Sequence, residues 1–305
     1  MTLTSSCRPR LRGVIAATAT PLHEDFTPDL PRLAMHCRAL LDTGCDAINL
    51  LGTTGEATAF STEQRLHVMR SIGEAGLPLN RFMVGTGVCA LEDTVRLTHA
   101  AAELGFAGAL VLPPFFYPDV PADGLVAHID EIVRRAAHPN LAIYLYHIPQ
   151  NTGVPWPLDV VTQLRRKHAD VVVGLKDSAG DLAYSRSVAK ALPGFDVFPS
   201  SEAALGNANI DGFAGCISAT VNLTAASAQA AWSAQGSDAG AAAVRKASDL
   251  RGLIAKYPLV ASVKSALATL YRDASWSRVA LPLRPLSAEQ SAALAQAVAE
   301  RMTLA

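Results

Sequence analysis

Short runs dense in valine, isoleucine, leucine and alanine alternate along the chain with longer stretches whose apolar positions recur every three or four residues. The apolar runs are GVIAATATP (13–21), DAINLLG (46–52), RFMVGTGV (81–88), GALVLPP (108–114), LAIYLYHIP (141–149), DVVVGLK (170–176), DVFPS (196–200) and GFAGCISAT (212–220). Each is short and nearly continuous in apolar residues, which predicts a strand buried on both faces, the pattern of a parallel sheet. Between them, 30–44, 61–76 and 91–105 carry helical periodicity. Ser61 is placed to cap the second of these, and Gly44 and Gly105 to stop the first and third.

Eight strands separated by helices imply right-handed parallel crossovers. Eight such units in this length predict a closed (β/α)8 TIM barrel. An open doubly wound sheet would need a glycine-rich phosphate turn after its first strand, and TATPLHED (18–25) is not one. From residue 223 the chain turns alanine-rich and helical. The expected organisation is a barrel over 1–222, then its last helix and a C-terminal helical extension over 223–305, forming one structural unit.

Composition narrows the class. The chain has 305 residues, half of them hydrophobic, with 26 basic against 27 acidic side chains. That is the balance of a globular protein with a large core, without the charge expected of a nucleic-acid or membrane-surface binder. Five cysteines with no C-x-x-C pair indicate neither a disulfide framework nor a zinc site, so the expected compartment is the cytoplasm. The N-terminal apolar run is short, rich in alanine and threonine and broken by Pro21, and reads as a strand, not a secretory leader. No run of 18 apolar residues predicts a membrane span.

In a barrel of this kind, chemistry collects at the C-terminal ends of the strands. Those ends carry Thr53, Thr54 and Glu56, then Tyr117, Tyr146, His147 and Asn151, then Lys176, Asp177 and Glu202. Val172, Gly174 and Lys176 share one strand face. If that face is the barrel interior, Gly174 leaves room for a long side chain above it, and desolvation favours the neutral, nucleophilic amine. The other reading has Lys176 reaching solvent and pairing with Asp177. GTTGE (52–56) offers hydroxyls and backbone N–H groups close to a helix start, suited to a carboxylate or to simple capping. Tyr146 suits proton transfer or packing at the barrel mouth, whereas His147 faces the opposite way, towards the helices.

Taken together, GTTGE (52–56), YHIPQNTG (146–153), VGLKDSAG (173–180) and CISATVN (216–222) resemble the signature stretches of the dihydrodipicolinate synthase/N-acetylneuraminate lyase superfamily, in order and spacing from Gly13 to about Ala280. The resemblance implies a class I, pyruvate-handling barrel. Lys176 is then the Schiff-base lysine and Tyr146 the proton-relaying tyrosine. Thr53 and Thr54 bind the pyruvate carboxylate, Gly55 supports their turn and Ile217 lines the pyruvate pocket. It also implies a homotetramer and neither metal nor organic cofactor.

Three positions depart from the family's patterns. Asn151 stands where dihydrodipicolinate synthases place an arginine, and an amide cannot make a charged bidentate clamp. Phe116 stands where a relay tyrosine crosses the dimer interface, with Tyr117 one place along. Of the acidic pair that contacts sugar hydroxyls in the sialic acid lyases, Glu202 remains and Ala203 does not. These departures point to an aldolase for a 2-oxo-3-deoxy sugar acid of the 2-keto-3-deoxygluconate type, cleaved to or built from pyruvate and an aldehyde. The alternatives are a dehydratase of such acids, dihydrodipicolinate synthase itself and a silent pyruvate-binding barrel.

Overall fold

The structure is a computed structural model and describes residues 10–303. Cys7 lies outside the described residues. Eight strands form: β1 (Gly13–Ala17), β2 (Ala47–Leu50), β3 (Phe82–Gly85), β4 (Gly108–Val111), β5 (Ile143–His147), β6 (Val172–Asp177), β7 (Asp196–Pro199) and β8 (Gly215–Ser218). Each lies within a residue of its expected run. They are shorter than those runs, which take in loop residues at one or both ends of the strands.

The helices are α1 (Leu30–Asp42), α2 (Thr62–Glu74), α3 (Leu91–Leu104), α4 (Ala122–Arg135), α5 (Pro149–Thr152), α6 (Leu158–Lys167), α7 (Leu182–Ala191), α8 (Ala208–Asp211), α9 (Val221–Ser233), α10 (Asp238–Ile254), α11 (Leu259–Tyr271) and α12 (Ala288–Thr303). At the start of α2, the Ser61 hydroxyl accepts from the Gln64 N–H and the Gln64 side chain accepts from the Ser61 N–H, a reciprocal cap. Gly105 ends α3 in the left-handed conformation. No single helix among the described residues is long and apolar enough to cross a membrane.

The strands pair in parallel in the order β7-β6-β5-β4-β3-β2-β1-β8. The remaining seam is bridged where Ala214 N–H, just before β8, donates to Val197 O at 2.9 Å. This is a (β/α)8 barrel. Its β1–β8 contact depends on Gly215, at φ +147°, where a Cβ would lie 1.9 Å from Gly13 O.

Ile15, Met83, Leu110, Tyr144, Phe198 and Ile217 fill the interior. Tyr144 lies between two glycines of the neighbouring strands. A Cβ on Gly108 would meet its ring at 2.6 Å and one on Gly174 at 2.5 Å. The space that Gly174 leaves is therefore taken by Tyr144 and not, as expected, by the lysine two residues on. Lys176 is seated one layer higher. Below, Asp196 opens β7 and receives the Tyr144 hydroxyl at 3.4 Å and Arg10 Nε at 2.7 Å, closing the N-terminal end with a polar plug.

The extension, α10 to α12, has its own buried seam. Leu250, Ile254, Val263, Leu267, Trp276, Leu294 and Val298 pack together and against Ala19 and Ala219, which follow β1 and β8. It thus sits over the catalytic end of the barrel rather than alongside it.

Candidate active site

Lys176 and Tyr146 end adjacent strands in register, Tyr146 opposite Lys176 in the β5–β6 ladder. Both point inward, being 3% and 4% exposed. The Lys176 ammonium nitrogen lies 4.2 Å from the centre of the Tyr146 ring, so the two groups share one desolvated layer. The Tyr146 hydroxyl is 3.1 Å from Thr53 Oγ1. Burial alone would push the Tyr146 phenol up. The charge on Lys176 and the hydrogen bonds of Thr53, Ser178 and Lys176 outweigh it and hold the phenol below its ordinary value.

Asp177, the neighbour on the other strand face, does not pair with the lysine. Its oxygens accept from Ala179 N–H at 2.9 Å and Ser185 Oγ at 2.6 Å. His147 also faces the helices, where its ring stacks on Tyr184 at 4.3 Å and Nδ1 accepts from the Trp156 N–H at 3.0 Å.

These residues open into a cavity of about 870 Å3 at the barrel mouth, whose wall includes Thr53, Thr54, Asn151 and Ile217. Gly55 keeps the threonine turn against β1. Its carbonyl accepts from Thr20 Oγ1 at 2.8 Å, and a Cβ there would lie 3.1 Å from Thr18 O. The turn does not run directly into an α-helix: a single 3₁₀ turn (Ala57–Ala59) intervenes before α2 begins at Thr62. Any carboxylate at Thr53 and Thr54 is met by hydroxyls and local amides, not by a helix terminus. Asn151 is exposed on the short helix α5 and presents its amide to the cavity.

Glu202 is placed differently from the expectation. It is fully buried. Its Oε1 accepts from Thr220 at 2.5 Å and Thr224 at 2.7 Å, and its Oε2 from Ser218 at 3.0 Å. Arg251 Nη1 completes the set at 3.3 Å. A carboxylate so supplied has no lone pair left for a sugar hydroxyl. Burial beneath the cavity, unreadable from sequence, removes Glu202 from the substrate contacts. It anchors Arg251, which does line the cavity.

Arg251 was missed in the sequence because nothing in alanine-rich α10 distinguishes it from a solvated surface arginine. The roof was missed as well. Pro258–Ala261 and Ala280–Arg284 close the cavity from the extension. They are tied down by Lys264 of α11, whose ammonium is 2.5 Å from Glu56 Oε1, while Glu56 Oε2 accepts from Ala280 N–H at 2.5 Å. A lone lysine inside LVASVKSALATL (259–270) was the available signal for this buried pair.

Phe116 and Tyr117 stand away from the cavity, 79% and 74% exposed, with Phe116 at φ +88°. Within one chain, neither supplies a third member to the Tyr146–Thr53 pair.

Residues 10–301 match the dihydrodipicolinate synthetase family. The chain belongs to that family. An uncharacterised DapA-like lyase of Chloroflexus aurantiacus is 35% identical over 290 residues, 93% of this chain and 94% of the relative. The dihydrodipicolinate synthase of Agrobacterium tumefaciens superposes with a TM-score of 0.86 at 27% identity, covering 94% of this chain and 98% of that one. A 2-dehydro-3-deoxy-phosphogluconate/2-dehydro-3-deoxy-6-phosphogalactonate aldolase of Sulfurisphaera tokodaii is 26% identical over 189 residues, 62% of each chain. This dihydrodipicolinate synthetase family member is accordingly a carbon–carbon lyase of the class I, pyruvate-dependent type.

Proposed function

We propose that the protein cleaves, or forms, a 2-oxo-3-deoxy sugar acid of the 2-keto-3-deoxygluconate type, with pyruvate and an aldehyde as the other side of the reaction. The observation that carries this reading is the character of the cavity beyond the lysine. Among its apolar lining stand hydroxyls and amides (Thr53, Thr54, Ser178, Ser200, Gln150, Asn151), together with the guanidinium groups of Arg251 and Arg284. Such a wall offers many neutral hydrogen-bonding groups to a polyhydroxylated chain. It lacks, at position 151, the guanidinium that would clamp a small amino-acid aldehyde.

The residues divide the work as follows. The Lys176 amine adds to the C2 carbonyl, water leaves, and an iminium forms. Thr53 and Thr54 hold the carboxylate of the pyruvoyl end. The Tyr146 oxygen takes the proton from the C4 hydroxyl, and the C3–C4 bonding pair moves towards the iminium nitrogen, releasing the aldehyde and leaving an enamine. Protonation of C3 and hydrolysis return pyruvate and the free lysine. A phenol held below its ordinary value by Lys176 suits this base role.

The test is a panel of 2-keto-3-deoxy acids offered to the purified protein, reading pyruvate release. An intact dehydrated acid as product would replace the aldolase with a dehydratase. Condensation of pyruvate with aspartate semialdehyde as the preferred reaction would replace it with dihydrodipicolinate synthase. In parallel, borohydride with pyruvate should trap a covalent adduct in the wild type and none in Lys176→Ala. An adduct persisting in that variant moves the imine to another residue.

A further inference from the structure

Arg65, on α2, is the one buried arginine among the described residues, at 1% exposure. Only one of its nitrogens is satisfied by the protein: Nη2 donates to Gly85 O at 2.7 Å. Nε and Nη1 are sealed from solvent and meet no protein acceptor. Burial pulls its pKa down to about 10, with Asp93 working against the shift, so the guanidinium remains charged near neutrality. A buried charge with two idle donors is unfavourable to keep, and buried polar atoms almost always have a partner.

The place for a partner exists. A cavity of about 30 Å3 is lined by Arg65, Thr53, Gly85, Gly87 and Tyr146. Its volume admits a water molecule, and its lining supplies more than two polar groups to hold one. Backbone encloses it closely: a Cβ on Gly85 would lie 2.0 Å from Leu51 O, and one on Gly87 would lie 2.4 Å from Leu112 N. The same cavity thus joins an under-satisfied cation to both residues of the proton-transfer pair.

We propose that Arg65 is a positioning residue that holds an ordered water in this cavity, and that the water takes the third place in the relay with Thr53 and Tyr146, the place Phe116 leaves without a hydroxyl. The guanidinium holds the water through its lone pairs, so the O–H bonds are directed away from Arg65 to the two hydroxyls. The water is therefore a donor. When the enamine is protonated, the C2=C3 pair forms the new C3–H bond with the Tyr146 proton, and the nitrogen lone pair re-forms C=N. Tyr146 is reprotonated by Thr53, and Thr53 by the water. The resulting hydroxide sits beside a cation and recovers its proton along the same relay, through Thr53, when Tyr146, which also lines the active-site cavity, next takes up a proton there.

The inference rests on Lys176 forming the imine, and a test using pyruvate alone separates the two. Wild type, Arg65→Met and Arg65→Lys are compared for borohydride trapping of pyruvate and for methyl-proton exchange of pyruvate in D2O, followed by NMR. Arg65→Met should trap pyruvate with the wild-type half-saturation yet exchange at least about tenfold more slowly, a smaller effect than the roughly 10²–10⁴-fold of a directly acting acid or base because Arg65 acts through the water. Arg65→Lys, which keeps a cationic donor, should recover most of the rate. Wild-type exchange in Arg65→Met, with trapping intact, overturns the proposal. If Arg65→Met does not fold, a high-resolution crystal structure of the wild type decides: a water within hydrogen-bond distance of Nε or Nη1 and of Thr53 or Tyr146 supports it, and a dry cavity overturns it. A wild type that traps no pyruvate instead overturns the imine reading beneath it.

Discussion

Replacing Lys264 with Met removes one charge from a pair whose partners are both essentially inaccessible, at 0% and 1% side-chain exposure. At 2.5 Å and an effective dielectric of about 20, the gross attraction is about 6–7 kcal/mol. Most of that is offset by desolvating two ions, each costing several kcal/mol. Burial accordingly pulls the Lys264 pKa down, while Glu56 pulls it back up. The pair as a whole is close to neutral for stability, but breaking it is not. Met fills the volume of the lysine stem and leaves the Glu56 carboxylate with only the Ala280 N–H, so Lys264→Met should cost about 3–5 kcal/mol. Adding Glu56→Gln removes the stranded charge and keeps an acceptor for Ala280, so the double variant should regain most of the loss. Urea unfolding of the four members of this cycle measures the coupling directly. A single variant within about 1 kcal/mol of wild type, or a double variant no better than the single, would refute the account of the roof as held by a buried ion pair.

Two further outcomes follow from buried polar groups. Glu202→Gln puts an NH2 where three hydroxyls and Arg251 now donate, and should lower stability by about 2–4 kcal/mol in urea unfolding while pyruvate trapping persists; unchanged stability with a raised KM would instead make Glu202 a substrate contact. His36 is buried, its Nε2 facing Asn222 Oδ1 at 2.8 Å and its Nδ1 facing the Tyr271 hydroxyl at 2.7 Å. Burial first, against the Asn222 hydrogen bond, holds its pKa down at about 4 from an ordinary 6.5. The unfolded chain binds this proton more readily, so the stability His36 contributes is complete above about pH 6.5 and lost as pH falls towards 4. The gap is worth about 3 kcal/mol. Comparing urea unfolding at pH 7 and 4.5, His36→Gln should show a smaller loss than wild type, and an identical loss would exclude His36 as its source.

The strands were legible because burial on both faces leaves a local trace: eight apolar runs of strand length cannot be mistaken for loops. The inward direction of Lys176 was legible only as one of two readings, since alternation fixes which residues share a face but not which face is inside. The Gly174 space was misread for a related reason. Its occupant, Tyr144, comes from the neighbouring strand, and the register that brings the two together is not written in either strand alone. Arg251 and Lys264 come from helices that look ordinary in sequence. They matter because the extension folds back over the barrel, a contact between positions some 200 residues apart in the case of Glu56 and Lys264.

Glu202 shows how such folding-back changes chemistry as well as position. An acidic side chain facing the cavity would accept hydrogen bonds from sugar hydroxyls. Here the carboxylate is turned down onto Ser218, Thr220 and Thr224, and what reaches the cavity edge is the guanidinium it holds, engaged through Nη1 alone. The local sign of the cavity is thereby inverted, from acceptor to donor. A fork-shaped cation whose other nitrogens meet no acceptor among the described residues favours acceptor oxygens on the substrate, which the hydroxyls of a sugar acid supply. On the proposed sugar-acid reading, the cation absent at Asn151 is supplied instead by Arg251 of α10, which lines the same cavity.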